Sequence, residues 1–142
     1  MLKVSPDIED NHISEIVEVA TKNDIAAIIL TNTTNVNRDN LKSEFKKEKG
    51  GLSGKPLQQI STNMIKKFYK QLNGKIPIIG VGGVNSGKSA YEKIIAGASL
   101  LQLYTSFVYK GRSAAKDIKK ELIQILKAEG IKNIEEAVGK DV

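Results

Sequence analysis

An apolar strand that runs straight into glycines constrains this chain more than any other feature: Ile76-Pro77-Ile78-Ile79-Gly80-Val81-Gly82-Gly83. A strand apolar on successive residues is buried on both faces, which predicts a parallel sheet covered by helices. One helix later a second strand is predicted at Ser99-Leu100-Leu101-Gln102-Leu103-Tyr104-Thr105. Glycines lack a Cβ, so their backbone N–H groups can approach a phosphate closely. Two neighbouring parallel strands that end in Gly-Gly and in Tyr-Thr-Ser therefore predict a phosphate cradle. Ser106-Phe107-Val108-Tyr109-Lys110 is placed to form a short helix beside it. The expected ligand is a phosphorylated cofactor.

The same strand-then-helix rhythm runs along the whole chain. Leu2-Lys3-Val4 opens as a strand and stops at Ser5-Pro6. Ile13, Ile16, Val17 and Ala20 form a helical stripe, with Asp10 or Asn11 as N-cap. Ile25 to Leu30 is a continuous apolar run and reads as a buried strand ending in Thr31-Asn32-Thr33-Thr34. The lysine-rich stretch Asn35 to Lys49 is long for a connection and reads as a mobile loop or lid. Pro56 suits a first helical turn, and Leu57, Ile60, Met64, Phe68 and Leu72 supply the buried stripe of a helix that Gly74 ends. Ser86 can cap a helix with Ala90, Tyr91, Ile94 and Ile95 inward, and a last long helix carries Ile118, Leu122, Ile125 and Leu126. The tail from Ile131 is expected to add one short helical turn.

This makes an α/β fold of four βα units with right-handed crossovers. Such units build either a small open sheet or half of an eight-stranded (β/α)8 barrel, and in both the ligand sits at the C-terminal ends of the strands. At 142 residues one domain spans residues 1–142 and can bury a core. Cysteine is absent, which excludes disulfides, thiolate catalysis and Cys-ligated metal. The net charge is +6, with the lysines spread over predicted helix faces rather than interleaved with aromatics. That argues against nucleic acid as a partner. No apolar run is long enough to span a bilayer.

Polar residues collect where the strands end: Lys3 with Ser5, Thr31-Asn32-Thr33, Gly82-Gly83 and Tyr104-Thr105. Any one of these is ordinary turn chemistry. Together, at equivalent ends of successive strands, they predict a single mouth. His12 is the only histidine and lies at a helix start, which argues against a His-based triad. No metal-ligand spacing is present. Gly82 to Ser89 also matches the P-loop pattern G-x-x-x-x-G-K-[ST] between a strand and a helix. No later strand ends in an acidic residue to hold Mg²⁺, which weighs against nucleotide hydrolysis.

Several strings carry a resemblance: Thr31-Asn32-Thr33-Thr34, Gly50-Gly51-Leu52-Ser53-Gly54-Lys55-Pro56-Leu57, Ile78-Ile79-Gly80-Val81-Gly82-Gly83-Val84, Gly97-Ala98-Ser99-Leu100 and Gln102-Leu103-Tyr104-Thr105. In order and spacing they resemble the C-terminal half of quinone-linked dihydroorotate dehydrogenase, over essentially the whole chain. The resemblance implies a (β/α)8 barrel with FMN at its mouth, oxidising dihydroorotate to orotate in pyrimidine synthesis with a quinone as acceptor. It implies roles by position. Lys3 would contact the flavin ring, and Thr31 would touch flavin through its backbone. Asn32 and Thr33 would hydrogen-bond orotate. Gly54 would lie near the ribityl or phosphate portion, and Gly83, Tyr104 and Thr105 would bind the phosphate. Lys88 of the P-loop match would then be incidental.

The resemblance also implies what this half does not carry. The family's first four βα units, its catalytic serine base and its membrane helices fall outside it, so no catalytic residue is assigned here. The leading expectation is an FMN-binding half of an oxidoreductase, active only with a separately supplied first half; pairing with that half or with a second copy is expected. A non-catalytic relic that at most binds FMN is the second reading, and a P-loop hydrolase the third. The family implies peripheral association with an inner membrane, while the half alone would be cytoplasmic.

Overall fold

The computed structural model describes residues 1–36 and 38–142. Four short strands form one parallel sheet: β1 (Leu2–Val4), β2 (Ile28–Leu30), β3 (Ile78–Val81) and β4 (Ala98–Gln102). Their spatial order is their chain order, β1-β2-β3-β4. Doubly wound sheets reverse their order at a switch point. An unreversed order with right-handed crossovers instead lays every helix on one face, as in an arc of a barrel.

The helices are α1 (Asn11–Lys22), α2 (Gln58–Leu72), α3 (Gly87–Ile95), α4 (Thr105–Lys110) and α5 (Ala114–Ala128). They pack side by side, α1 on α2, α2 on α3 and α3 on α5. The sheet's outer face meets them through Val4, Ile28, Leu30, Ile78 and Ala98, which join Ile13, Ile65, Phe68 and Leu72 in one core. Phe68 is fully buried there, and truncating such a residue costs about 3–5 kcal/mol. A second core gathers Val84, Ala90, Ile94, Ile118, Leu122 and Ala137. The opposite face of the sheet carries the register row Lys3, Ile29, Ile79, Leu100. Leu100 is 63% exposed, so this row faces away from the helices.

Several expectations shift at the boundaries. The second strand begins at Ile28, not Ile25, because Asp24 adopts a left-handed turn and the chain enters the sheet only afterwards. The fourth strand ends at Gln102; Tyr104 is the N-cap position of α4 and Thr105 its first residue. Asp10 occupies the N-cap position of α1 but does not cap it, and its carboxylate holds Lys67 at 2.6 Å instead. Asn73 shares with Gly74 the left-handed turn that ends α2. The stretch expected as a lid includes Asn37, which lies outside the described residues. The rest of it contains a 3-10 turn at Glu44–Lys47, and Arg38 donates to the carbonyls of Glu48 and Gly50.

Two polar devices position the strand ends. Asp7, just beyond β1, accepts from the buried Thr34 hydroxyl at 2.5 Å and from the Asn35 N–H at 2.8 Å. This clamps the loop after β2 to the loop after β1. The second device is Lys93 of α3, which sits on the same stripe as Ala90 and Ile94 and is fully buried. Its three N–H donors are all used, on the Gln58 carbonyl at 3.2 Å and on the Ser61 and Thr62 hydroxyls at 3.1 Å each. Burial lowers its pKa from 10.5 to about 8, with the nearby Glu92 charge opposing that shift.

Two measurements test these devices. Asp7→Ala leaves the buried Thr34 hydroxyl without an acceptor for its proton and is expected to lower the unfolding free energy by about 1–3 kcal/mol in denaturant titrations. For Lys93 the unfolded chain binds the proton more tightly than the folded one. Stability therefore rises as pH climbs from about 8 to 10.5, and falls again as pH drops through about 8. The wild type is expected to gain about 3 kcal/mol over that window relative to Lys93→Met. Parallel pH profiles for the two proteins would contradict it.

Candidate functional site

A cavity of about 610 Å³ opens at the C-terminal ends of the four strands. Each residue given a cofactor or substrate role from the sequence lines it: Lys3, Thr31, Asn32, Thr33, Gly54, Gly83, Tyr104 and Thr105; Ser5, grouped with Lys3 at the end of β1, does not. Lys3 comes from β1, and Thr31 to Thr33 follow β2. The Thr31 N–H donates to the Val81 carbonyl at 3.0 Å and the Asn32 N–H to the Val4 carbonyl at 2.9 Å. These bonds tie the segment to both neighbouring strands. Thr31 is buried by them, while Asn32 stays exposed.

The glycine string after the long loop has a geometric cause. Thr34 and Leu52 form an antiparallel bridge, with N–H···O distances of 3.1 and 2.7 Å. The bridge brings Gly51 so near Thr33 that a Cβ would lie 1.9 Å from the Thr33 hydroxyl oxygen. Three residues on, Gly54 has φ +82, and a Cβ there would meet the Thr105 methyl at 3.0 Å. The Ser53 and Thr105 hydroxyls share a hydrogen bond of 2.9 Å. The loop thus closes over the start of α4. Lys55–Leu57 then turns as a 3-10 helix into α2, with Pro56 in that first turn.

The turn after β3 rests on the start of α2. Gly83 has φ +72, and a Cβ there would fall 2.5 Å from the Gln58 Cβ and 2.9 Å from its backbone nitrogen. Gly82 lies against Leu57 and Ser61 in the same way. Two bonds strap α4 down over this turn, Ser106 Oγ to the Val84 carbonyl at 2.6 Å and Lys110 Nζ to the Asn85 carbonyl at 2.7 Å. The Gly83 turn and the first residues of α4 are therefore held facing one space. The opening N–H groups of a helix have no intrahelical partner, so this corner is rich in backbone donors.

Charge agrees with that shape. Lys3, Lys55 and Lys110 line the cavity, and among the described residues none of its lining side chains is Asp, Glu or His. A concave site with fixed cations and no carboxylate favours an anionic ligand.

The P-loop match does not build a nucleotide site. The Gly87 N–H donates to the Glu121 carboxylate at 2.5 Å, so a carboxylate occupies the place a phosphate would take. Ser89 is spent in a capping box with Ser86, receiving the Asn85 and Ser86 N–H groups at 2.9 and 3.0 Å. Lys88 is exposed and lies outside the cavity lining.

Sequence reasoning passed over Ser53 as a site residue, although it stands inside the glycine string. It also passed over Lys93, whose signal was a lysine on the apolar stripe of α3.

The family model for Dihydroorotate dehydrogenase matches residues 1–126. The chain is 44% identical to dihydroorotate dehydrogenase (quinone) of Xanthobacter autotrophicus, over 100% of this chain and 40% of that protein. It is 44% identical to the mitochondrial dihydroorotate dehydrogenase (quinone) of Arabidopsis thaliana, over 99% of this chain and 31% of that protein. The crystal structure of the Eimeria tenella enzyme in complex with ferulenol superposes with a TM-score of 0.94 at 42% identity, covering 98% of this chain and 37% of that one. The chain thus spans well under half the length of these relatives. Its four parallel βα units are part of their barrel, and the chain belongs to the dihydroorotate dehydrogenase family.

Proposed function

We propose that this chain forms the FMN- and orotate-binding part of a quinone-linked dihydroorotate dehydrogenase. One observation carries the reading: a single cavity, cationic and lined by no carboxylate among the described residues, collects residues from the ends of all four strands. The fit to FMN rests on the Gly83 corner. With no Cβ at Gly83 the turn packs directly on Gln58 at the start of α2, and Gly83, Tyr104 and Thr105 line the same cavity, where their backbone N–H groups would bind a phosphate monoester.

The roles of the other residues follow from their positions. Gly54 lets the loop pass over the ribityl chain at the start of α4. Thr31 meets the ring through its backbone, held in place by its bond to Val81. Lys3 sets a fixed positive charge on the inner face of the sheet, where it favours electron density arriving on the ring. Asn32 offers both a donor and an acceptor to a planar substrate, and Thr33 a hydroxyl beside it. FMN, when bound, supplies the two-electron acceptor for dihydroorotate oxidation.

The chain's own contribution in this reading is binding and orientation. The proton-abstracting base belongs to the part of the relatives that this chain does not span, so turnover requires those further βα units, in the same protein or a partner chain. Their natural seat is the inner row Lys3, Ile29, Ile79, Leu100 and the edges of β1 and β4. Peripheral membrane attachment, with a quinone as electron acceptor, would likewise come from outside this chain. Among the described residues no helix is long and apolar enough to cross a membrane.

Titration of the purified protein with FMN, followed by flavin fluorescence, tests the reading. Saturable binding is expected. Gly83→Val should weaken it by at least about tenfold, because its Cβ must displace the Gln58 backbone. Lys88→Ala should leave it unchanged. Loss of binding in Lys88→Ala with retention in Gly83→Val would contradict the assignment.

A further inference from the structure

We propose that Lys93 is a positioning residue of the phosphate cradle: it fixes the first turn of α2 beneath the Gly82-Gly83 turn and sets a positive charge behind the bound phosphate group. The inference rests on the FMN reading above.

The geometry is a relay of contacts. Lys93 Nζ donates to Ser61 Oγ at 3.1 Å, and the Ser61 hydroxyl in turn donates to the Val81 carbonyl, the last residue of β3 before the glycines. Gly82 lies on Ser61 as well, where a Cβ would sit 3.1 Å from the Ser61 Cβ. A second arm of Lys93 reaches the Gln58 carbonyl at 3.2 Å, and Gln58 is the residue on which Gly83 packs. Each of the two glycines therefore rests on a residue that the lysine holds. Gln58 is fixed once more by its amide, which donates to Glu92 at 2.8 Å.

Electrostatics says why a lysine stands here. Its three acceptors are uncharged, and none of its hydrogen bonds goes to a carboxylate. It also lies at the N-terminal end of α2, where the helix dipole is already positive. A buried cation in that position is unfavourable for folding, and an apolar side chain of similar volume joins two helices at no desolvation cost. The balance changes when an anion occupies the Gly83 corner. The lysine charge and the α2 dipole then both act on it from the protein side, through an interior of low dielectric. The ligand class that completes this arrangement is a phosphate monoester.

Comparing FMN with riboflavin, which has the same ring and ribityl chain but no phosphate, isolates the effect. Dissociation constants for both are measured by flavin fluorescence in wild type, Lys93→Met and Ser61→Ala, with Lys88→Ala as the control. The wild-type preference for FMN over riboflavin is expected to fall about tenfold in Lys93→Met, with riboflavin affinity nearly unchanged. Ser61→Ala, which cuts the relay but leaves the lysine, should fall about threefold in the same direction. Lys88→Ala should keep the full preference. Equal losses for both flavins, or an unchanged preference, would overturn the proposal and leave Lys93 a structural residue. If Lys93→Met does not fold, Ser61→Ala decides: an unchanged preference overturns the proposal. Wild-type protein that binds neither flavin would instead overturn the FMN reading, and this inference with it.

Discussion

The site depends on backbone packed against its neighbours without a side chain between them. At Gly51 and Gly83 a Cβ would collide with Thr33 and Gln58, and at Gly54, whose φ is +82, it would press on the Thr105 methyl. These contacts draw three loops from different parts of the chain to the same end of the sheet. Once the loops are that close, short hydrogen-bonded straps suffice to fix them: Ser53 on Thr105, Ser106 on Val84 and Lys110 on Asn85. The sheet contributes direction. Its parallel, unreversed order brings the C-terminal ends of all four strands to one side, so the loops have one place to meet.

Electrostatics works on the same geometry at two depths. Lys3, Lys55 and Lys110 face the cavity itself. Lys93 stands one layer beneath, its donors spent on the start of α2. The local pairing of charges also explains why the P-loop pattern misleads. In a nucleotide site the amide after the turn and the Ser beside the Lys are free for phosphate and Mg²⁺. Here Glu121 takes the Gly87 amide and Ser86 takes Ser89, so the motif serves to start α3. In the proposed function the phosphate sits earlier in that segment, at Gly83.

Much of this was legible in the residues, and the limits have physical causes. Continuous apolar runs gave the strands, since a strand buried on both faces needs them, and polar strand ends gave the mouth. The Ser86 cap and the Pro56 turn were readable because local chemistry decides them. The start of β2 and the end of β4 were not, because pairing with a neighbour decides where a strand begins and stops. Asp10 looked like a cap because its residue type and position fit, but Lys67 on the adjacent helix competes for its carboxylate. Lys93 was hidden for the same reason. Its place on the apolar stripe of α3 hints at burial, but its partners Gln58, Ser61 and Thr62 come from another helix, and nothing local names the hydroxyls and carbonyl that satisfy it.

The proposed function turns on a phosphate group seated where the Gly83 turn meets the start of α4. Amide chemical shifts of isotope-labelled protein during FMN addition test it most directly. The largest changes are expected on the N–H groups of Gly83, Tyr104 and Thr105, while those of Gly87, Lys88 and Ser89 stay in place. Shifts concentrated on Gly87 to Ser89, with Gly83 and Thr105 unmoved, would contradict it.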